Sequence, residues 1–394
     1  MQENYQITHR FNRLIVAGRR VTFILLVGFC CLISACGTPS SDVGSQKLEF
    51  KNPGPWLNSE PFTLSEKMGE VVLVDFWTYT CINCLRTLPY LKDWHEKYSE
   101  YGLTIVGVHS PEFDFEKIPE NVATAVAELE IAYPVFQDNN RETWREFNNR
   151  YWPAKYLVDH RGIIKYEHFG EGGYAQTEHA IRNELEQAGF DISNIPTYSA
   201  FVNEEAEGLP LNRKQTRELY AGTDRNYTAY RNYMRYGRQL PYIGNEEYFS
   251  SAFAASAKEE VNFTDPGLYE VDQFYINGLW RKKAEHLLHA RTTMSHTDYL
   301  VLKFSGSEVN IVLEEGKEPY DVRVEIDDIP LKENEAGIHI KFDQDGNSYI
   351  EVTESKMFNI VKLSSSETRF LKLSSLSSDF SVYAFTFGSR PRNE

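Results

Sequence analysis

Two cysteines three residues apart, Cys81 and Cys84, are the residues of this chain whose type and spacing most directly imply chemistry. They stand in Thr78-Tyr79-Thr80-Cys81-Ile82-Asn83-Cys84 and can form one tight bridge or work as a reactive dithiol. In a dithiol, one thiolate attacks a disulfide sulfur and the second thiol resolves the mixed disulfide. Three other readings stand beside this one. A zinc site wants four ligands, and no second pair exists here, while His95 and His109 show no ligand spacing, so no metal is expected. A permanently oxidised bridge would make the pair structural. A thiol peroxidase would use Thr78 and Cys81 as a T-x-x-C, but it does not need the second cysteine.

The elements around the pair favour the dithiol. Val71–Trp77 is a continuous β-branched and apolar run, as a buried central strand requires. After the cysteines, Leu85, Leu88, Leu91 and Trp94 recur at helical spacing, and Leu103–Val108 reads as the next strand. Cys81 is therefore expected at a helix N-terminus, where unpaired backbone N–H groups and the helix dipole favour an anion. Such a setting lowers a cysteine from about 8.5 toward roughly 3.5–7.5. Trp77 and Tyr79 could line the site or simply pack.

With these residues on the page, the sequence resembles the thioredoxin family, whose D-F-W-x-x-x-C-x-x-C signature it matches from Asp75 to Cys84. The resemblance implies that Asp75 is the buried acid that exchanges a proton with the second cysteine. It also implies that Pro89 kinks the active-site helix, and that Trp152-Pro153, before Ala154–Val158, is the cis-proline loop that receives substrate backbone. Trp77 is taken with that loop as a substrate-contacting residue. The 69 residues from Cys84 to Pro153 exceed a minimal thioredoxin. The extra helix over 118–130 is similar to the TlpA and ResA group. The segments D-F-W-T-Y-T-C-I-N-C-L-R-T-L-P-Y-L, N-R-Y-W-P-A-K-Y-L and H-F-G-E-G-G-Y resemble the extracytoplasmic part of DipZ-type proteins. The expected fold is an α/β thioredoxin domain over 48–190, with a central mixed sheet flanked by helices. Glu171 and Tyr174 read as a turn before a last helix, Thr177–Gln187.

The N-terminus reads as an address. Arg10, Arg13, Arg19 and Arg20 precede the apolar run Val21–Ala35, which is shorter than the roughly 20 residues of a membrane-spanning helix. The run ends in Leu32-Ile33-Ser34-Ala35-Cys36-Gly37, which resembles the bacterial lipobox. The resemblance implies a signal peptide over 1–35, a lipidated Cys36 and anchoring to an extracytoplasmic membrane face. Residues 36–47 are small and polar and read as a flexible tether.

Residues 191–241 read as a linker that packs on its neighbours, and 242–394 as an all-β domain. Eight short strands, Phe274–Trp280, Tyr299–Phe304, Val309–Leu313, Asp321–Ile326, Ser348–Val352, Asn359–Leu363, Thr368–Leu373 and Ser381–Phe387, suggest a jelly-roll-like sandwich. Asp343 and Asp345 read as turn residues. DipZ-type proteins carry a sandwich here that is similar to carbohydrate-binding modules, so a glycan is a possible ligand of this half.

A net charge of −16 on 394 residues argues against nucleic acid as a partner. The expected activity is thiol–disulfide exchange on exported proteins, with no dissociable cofactor beyond the Cys81–Cys84 disulfide. DipZ-type proteins carry a membrane part that supplies electrons. None is read in this sequence, so a separate membrane donor of the CcdA or DsbD type is expected. The rival class is a surface glycan- or protein-binding lipoprotein whose dithiol is a sensor or staple. The lipobox reading predicts that the chain incorporates labelled fatty acid in bacteria and that Cys36→Ser abolishes the label. Label retained by the variant would sink that reading.

Overall fold

A computed structural model describes residues 48–197, 215–222 and 260–388 of the chain. The signal segment 1–35, Cys36 and the tether 36–47 lie outside the described residues, as do most of the 191–241 linker and the start of the 242–394 region.

The first half is a six-stranded mixed sheet. Its strands are β1 (Trp56–Leu57), β2 (Val71–Trp77), β3 (Leu103–His109), β4 (Val135–Gln137), β5 (Ala154–Val158) and β6 (Ile164–Phe169), in the spatial order β1-β4-β3-β2-β5-β6. β2, β3 and β4 are parallel, while β5 runs antiparallel to β2. All seven residues of β2 are buried, which explains its unbroken apolar run. The pleat divides that run. Val72, Val74 and Phe76 join one core cluster, and Val71, Leu73 and Trp77 join another that contains Cys84, Leu88 and Leu91 of the following helix. Asp75 shares the second face with no apolar reason to be there.

That helix, α1 (Ile82–Tyr98), buries Cys84, Leu88, Leu91, Trp94 and Tyr98 at helical spacing and carries Pro89 inside it. α2 (Pro119–Glu128) fills the expected insertion, after a single 3-10 turn at Asp114–Lys117. α3 (Glu142–Glu146) precedes β5, and α4 (Tyr174–Gln187) closes this half. α4 starts three residues earlier than the sequence suggested, so Tyr174 is its first residue rather than part of a turn. The residue's ring is buried and stacks on Tyr90 at 3.5 Å.

The second half is one eleven-stranded antiparallel sheet. Its strands are β7 (Leu219–Tyr220), β8 (Glu260–Phe263), β9 (Gln273–Lys282), β10 (Leu287–His289), β11 (Tyr299–Leu313), β12 (Tyr320–Ile326), β13 (Ile329–Pro330), β14 (Lys341–Phe342), β15 (Ser348–Val352), β16 (Lys356–Ser374) and β17 (Ser381–Gly388). Two pairs of expected strands are in fact single strands. Tyr299–Phe304 and Val309–Leu313 are one strand, β11, and Asn359–Leu363 and Thr368–Leu373 are one strand, β16. Their register shifts at Gly306/Glu308 and Val309/Asn310 mark bulges, which bend a strand without ending it. Among the named strands of the described residues, the start of β11 pairs with the end of β16, whereas its end pairs with both β16 and β17. Leu300, Leu302 and Phe304 from before the bend and Val309, Ile311 and Leu313 from after it enter the same core, so the sheet folds over on itself. Asp343 is a turn residue, its carboxylate accepting from the Asp345 and Asn347 amides. β7, inside the expected linker, pairs with β17.

The two halves meet through the insertion. Tyr383 of β17 is 2% exposed and packs edge-on against Phe113 and Phe115, each at 5.0 Å. Tyr220 donates its hydroxyl hydrogen to Glu112, and the Asp114 amide donates to Glu285. Truncating Tyr383 to alanine should cost about 3–5 kcal/mol, as for other buried aromatics. The expected result is a lower urea midpoint together with faster amide exchange over residues 112–118. Unchanged exchange there would show that the insertion holds its form without this contact.

Candidate active site

Cys81 is the N-cap of α1, in an extended conformation (φ −88°, ψ 112°). Its amide donates to the Thr78 carbonyl at 3.3 Å and its carbonyl accepts from the Leu85 amide at 3.0 Å. The residue is half-buried, whereas Cys84, one turn into the helix, is 1% exposed, and both are free thiols. Burial pushes the Cys84 thiol well above its ordinary range. A hydrogen bond with Cys81, the Cys81 charge and Asp75 push the same way, and a hydrogen bond from the Thr78 backbone opposes them. One sulfur thus faces outward and the other is held inside as a thiol that needs a base.

Asp75 supplies a carboxyl on the same face. It is 1% exposed, one of its oxygens has no hydrogen-bond partner, and burial raises it from 3.8 to about 7, with Lys155 pulling it down. Lys155 lies directly opposite on β5 and is fully buried, its ammonium nitrogen without a hydrogen-bond partner. Burial lowers its pKa, while Asp75, Cys84 and Glu171 raise it. The Tyr133 hydroxyl, also buried and unpartnered, is pushed far upward by burial and by the nearby Asp75 and Cys84.

The loop before Cys81 is tied down by Glu116 of the 3-10 turn. This carboxylate is fully buried and accepts from the Thr78 and Thr80 hydroxyls, each at 2.5 Å, and from the Phe113 amide at 2.9 Å. The Glu112 amide also donates to it. Burial, helped by Glu112, raises Glu116 to about 7 against these hydrogen bonds. Thr78 also meets His109 at 3.3 Å, and Tyr79 stacks on the His109 ring at 5.6 Å. Burial lowers His109 to about 3, so it is neutral. The threonine of the T-x-x-C pattern is fully buried and donates its hydroxyl hydrogen to Glu116.

Trp77 does not reach the surface. It is fully buried beneath the site, edge-on to His109 at 5.4 Å, because it occupies the core-facing phase of β2. Its assignment as a substrate-contacting residue is therefore corrected to one of packing. The Trp152-Pro153 bond is cis. Trp152 donates its indole N–H to the Ser110 carbonyl at 3.0 Å and packs against Trp144 at 4.4 Å, with the Arg141 guanidinium 4.9 Å from its ring. The Pro153 carbonyl accepts from the Gly170 amide at 2.8 Å. Cys81 and Trp152 border the same core cluster. Exposed rings of Tyr151 and Phe169 lie against each other next to this loop. Glu171 pairs with Arg86 of α1 at 3.6 Å. Among the described residues no group of three His, Cys, Asp or Glu side chains could hold a metal.

Lys155 and Glu116 escaped the sequence reading. The one signal for Lys155 was a lysine inside the otherwise apolar run Ala154–Val158, and for Glu116 an acid directly after the two phenylalanines of F-D-F-E-K.

Comparison with known proteins finds the following similarities. Residues 43–167 match the AhpC/TSA family, and residues 233–388 match the thioredoxin like C-terminal domain. DipZ of Mycobacterium tuberculosis is 43% identical over 159 residues, which cover 40% of this chain and 22% of that protein. The thiol-disulfide oxidoreductase YkuV of Bacillus subtilis is 29% identical over 138 residues, covering 35% of this chain and 92% of YkuV. A solved thioredoxin-like protein in the oxidised form aligns with 36% of this chain and 96% of its own, at 28% identity and a TM-score of 0.33.

The burial of Asp75 carries a stability prediction. Its carboxyl is protonated in the folded chain up to about pH 7 but ionises near 3.8 when unfolded. It therefore costs stability progressively as pH rises from about 4 to 7, by an amount on the order of 4 kcal/mol when complete. Asp75→Asn removes that penalty. The melting-temperature difference between variant and wild type should move in the variant's favour across this window and level off above pH 7. A difference independent of pH would show that Asp75 titrates normally.

Proposed function

Given that the chain is a thioredoxin-like thiol–disulfide oxidoreductase, we propose that it is lipid-anchored through Cys36, faces the extracytoplasmic side, and reduces disulfides of exported proteins. The observation that carries the chemistry is the inequality of the two thiols: Cys81 half-exposed at the start of α1, and Cys84 buried behind it over Asp75. Cys81 attacks the substrate disulfide as the thiolate, forming a mixed disulfide and releasing the first substrate thiolate. Cys84 gives its proton to the Asp75 carboxylate and attacks the Cys81 sulfur. The Cys81–Cys84 bond forms, the second substrate thiolate leaves and takes up a proton, and two electrons have passed from the dithiol to the substrate. The Trp152-Pro153 loop aligns the extended substrate chain beside Cys81. No dissociable cofactor takes part. A membrane donor of the CcdA or DsbD type returns two electrons, and the β-rich half holds glycan or a protein partner near the membrane.

The apolar run before Cys36 and the polar tether after it support the location. A separate electron donor is favoured because an oxidised Cys81–Cys84 pair cannot turn over without one. The deciding measurement is the reduction potential of the pair, by equilibration in thiol–disulfide buffers with alkylation and mass readout. A reductase should lie near the thioredoxin value of about −270 mV, and Cys81→Ser should lose exchange altogether. A value near about −120 mV would instead make the chain an oxidant of newly exported proteins and would sink the reductase reading.

A further inference from the structure

A lysine with no exposure and no hydrogen bond is an expensive side chain to retain, since burying an unpaired ammonium costs several kcal/mol. Lys155 is such a residue. Its position in the sheet explains what it faces. Asp75 and Lys155 are directly paired across the antiparallel β2–β5 ladder, so both side chains leave the same face of the sheet. On that face they meet Cys84 from α1, the Tyr133 hydroxyl from the segment before β4, Tyr174 from α4 and Glu171 from the turn before α4. The Tyr174 ring lies 6.0 Å from the ammonium nitrogen. Lys155 is thus the one cationic side chain among these groups, which otherwise comprise a carboxyl, a thiol, two phenols and a more distant carboxylate.

We propose that Lys155 is a positioning residue of the redox site, whose buried ammonium holds Asp75 as the carboxylate that accepts the Cys84 proton. The proposal rests on the dithiol reading above. In the resolving step the Cys84 S–H bond breaks, its proton passes to Asp75, and the Cys84 electron pair forms the bond to Cys81 as the substrate thiolate leaves. Lys155 exchanges no proton in this step. It lowers the pH at which the carboxyl ionises to about 7, where the low-dielectric surroundings alone would leave Asp75 protonated and unable to act. Asp75→Asn removes the base. Lys155→Met leaves the base in place but raises the pH at which it is available.

The test separates the two cysteines kinetically. The full chain, with Cys30, Cys31 and Cys36 changed to serine, is mixed at equal concentration with an aromatic disulfide whose two halves are coloured thiolates on release. The first burst of colour reports attack by Cys81 and the second reports resolution by Cys84. In the wild-type site the second burst should accelerate with pH, with a midpoint near the Asp75 value of about 7. In Lys155→Met the midpoint should rise by about one pH unit or more, because a neighbouring opposite charge shifts a carboxyl by that much. At pH 7 the second burst should then slow about fivefold or more while the first is unchanged. Lys155→Arg should restore the midpoint. In an Asp75→Asn background the second burst should be slow at every pH, and Lys155→Met should add no shift. A folded Lys155→Met chain with the wild-type midpoint overturns the proposal, as does a loss equal at all pH values. If that variant does not fold, the nitrogen resonance of Lys155 in labelled wild type decides: an ammonium at pH 7 supports the proposal and a neutral amine overturns it. A wild-type chain that gives only one burst sinks the dithiol reading itself.

Discussion

The cost of burying charge organises this molecule. A resolving cysteine must be shielded from solvent so that only its partner meets the substrate disulfide, and that shielding removes the water that would otherwise take its proton. Cys84 is 1% exposed, so in the proposed exchange its base has to lie in the core beside it. Asp75 occupies the one inward position of β2 that brings a carboxyl beneath α1. The same burial that places it there also drives it toward the neutral acid, which cannot accept a proton. A buried cation on the adjoining strand offsets that tendency without opening the site to water.

The loop that presents Cys81 is fixed by a second buried carboxylate. Glu116 collects two hydroxyls from Thr78 and Thr80 and two amides from its own turn. When Glu116 is ionised each bond has a charged acceptor, which makes it stronger than one between neutral groups. Since Cys81 follows Thr80 directly, the clamp sets where its sulfur starts. The inserted segment between β3 and β4 therefore contributes to the site although it adds no reacting group.

How much of this was legible in the sequence follows from the physics of each element. Val71–Trp77 and Ala154–Val158 were readable to the residue because a strand buried on both faces is a near-continuous apolar run, broken here by Asp75 and Lys155. Cys81 at the start of α1 was readable from the helical stripe that follows it. In the β-rich half, Ser305-Gly306-Ser307 and Ser364–Ser366 have the composition of turns, yet they lie within long strands bent by bulges. Pairing partners far away in sequence decide that outcome, and local composition does not report them. Trp77 was misplaced for a related reason: segments distant in sequence cover both faces of β2, so neither phase of its alternation reaches solvent. Lys155 and Glu116 carry charge, and charge on its own reads as surface.

The β-rich half is joined to the redox helix as well as to the insertion. Glu308 of β11 is 5% exposed, and its carboxylate accepts from Asn359 at 2.9 Å and from Arg86 of α1 at 3.3 Å. Arg86 lies five residues after Cys81 and also pairs with Glu171, beside the loop that holds Pro153. A carboxylate so buried is destabilising once its cation is removed, so separating the halves would expose or orphan Glu308. At the other contact, Tyr383 would lose the two phenylalanine rings that precede Glu116. Two physically different contacts, one ionic and one apolar, thus reach the helix that carries the dithiol and the clamp that precedes it. The second half therefore packs on the helix that carries Cys81 and Cys84 and on the segment that holds the loop before it.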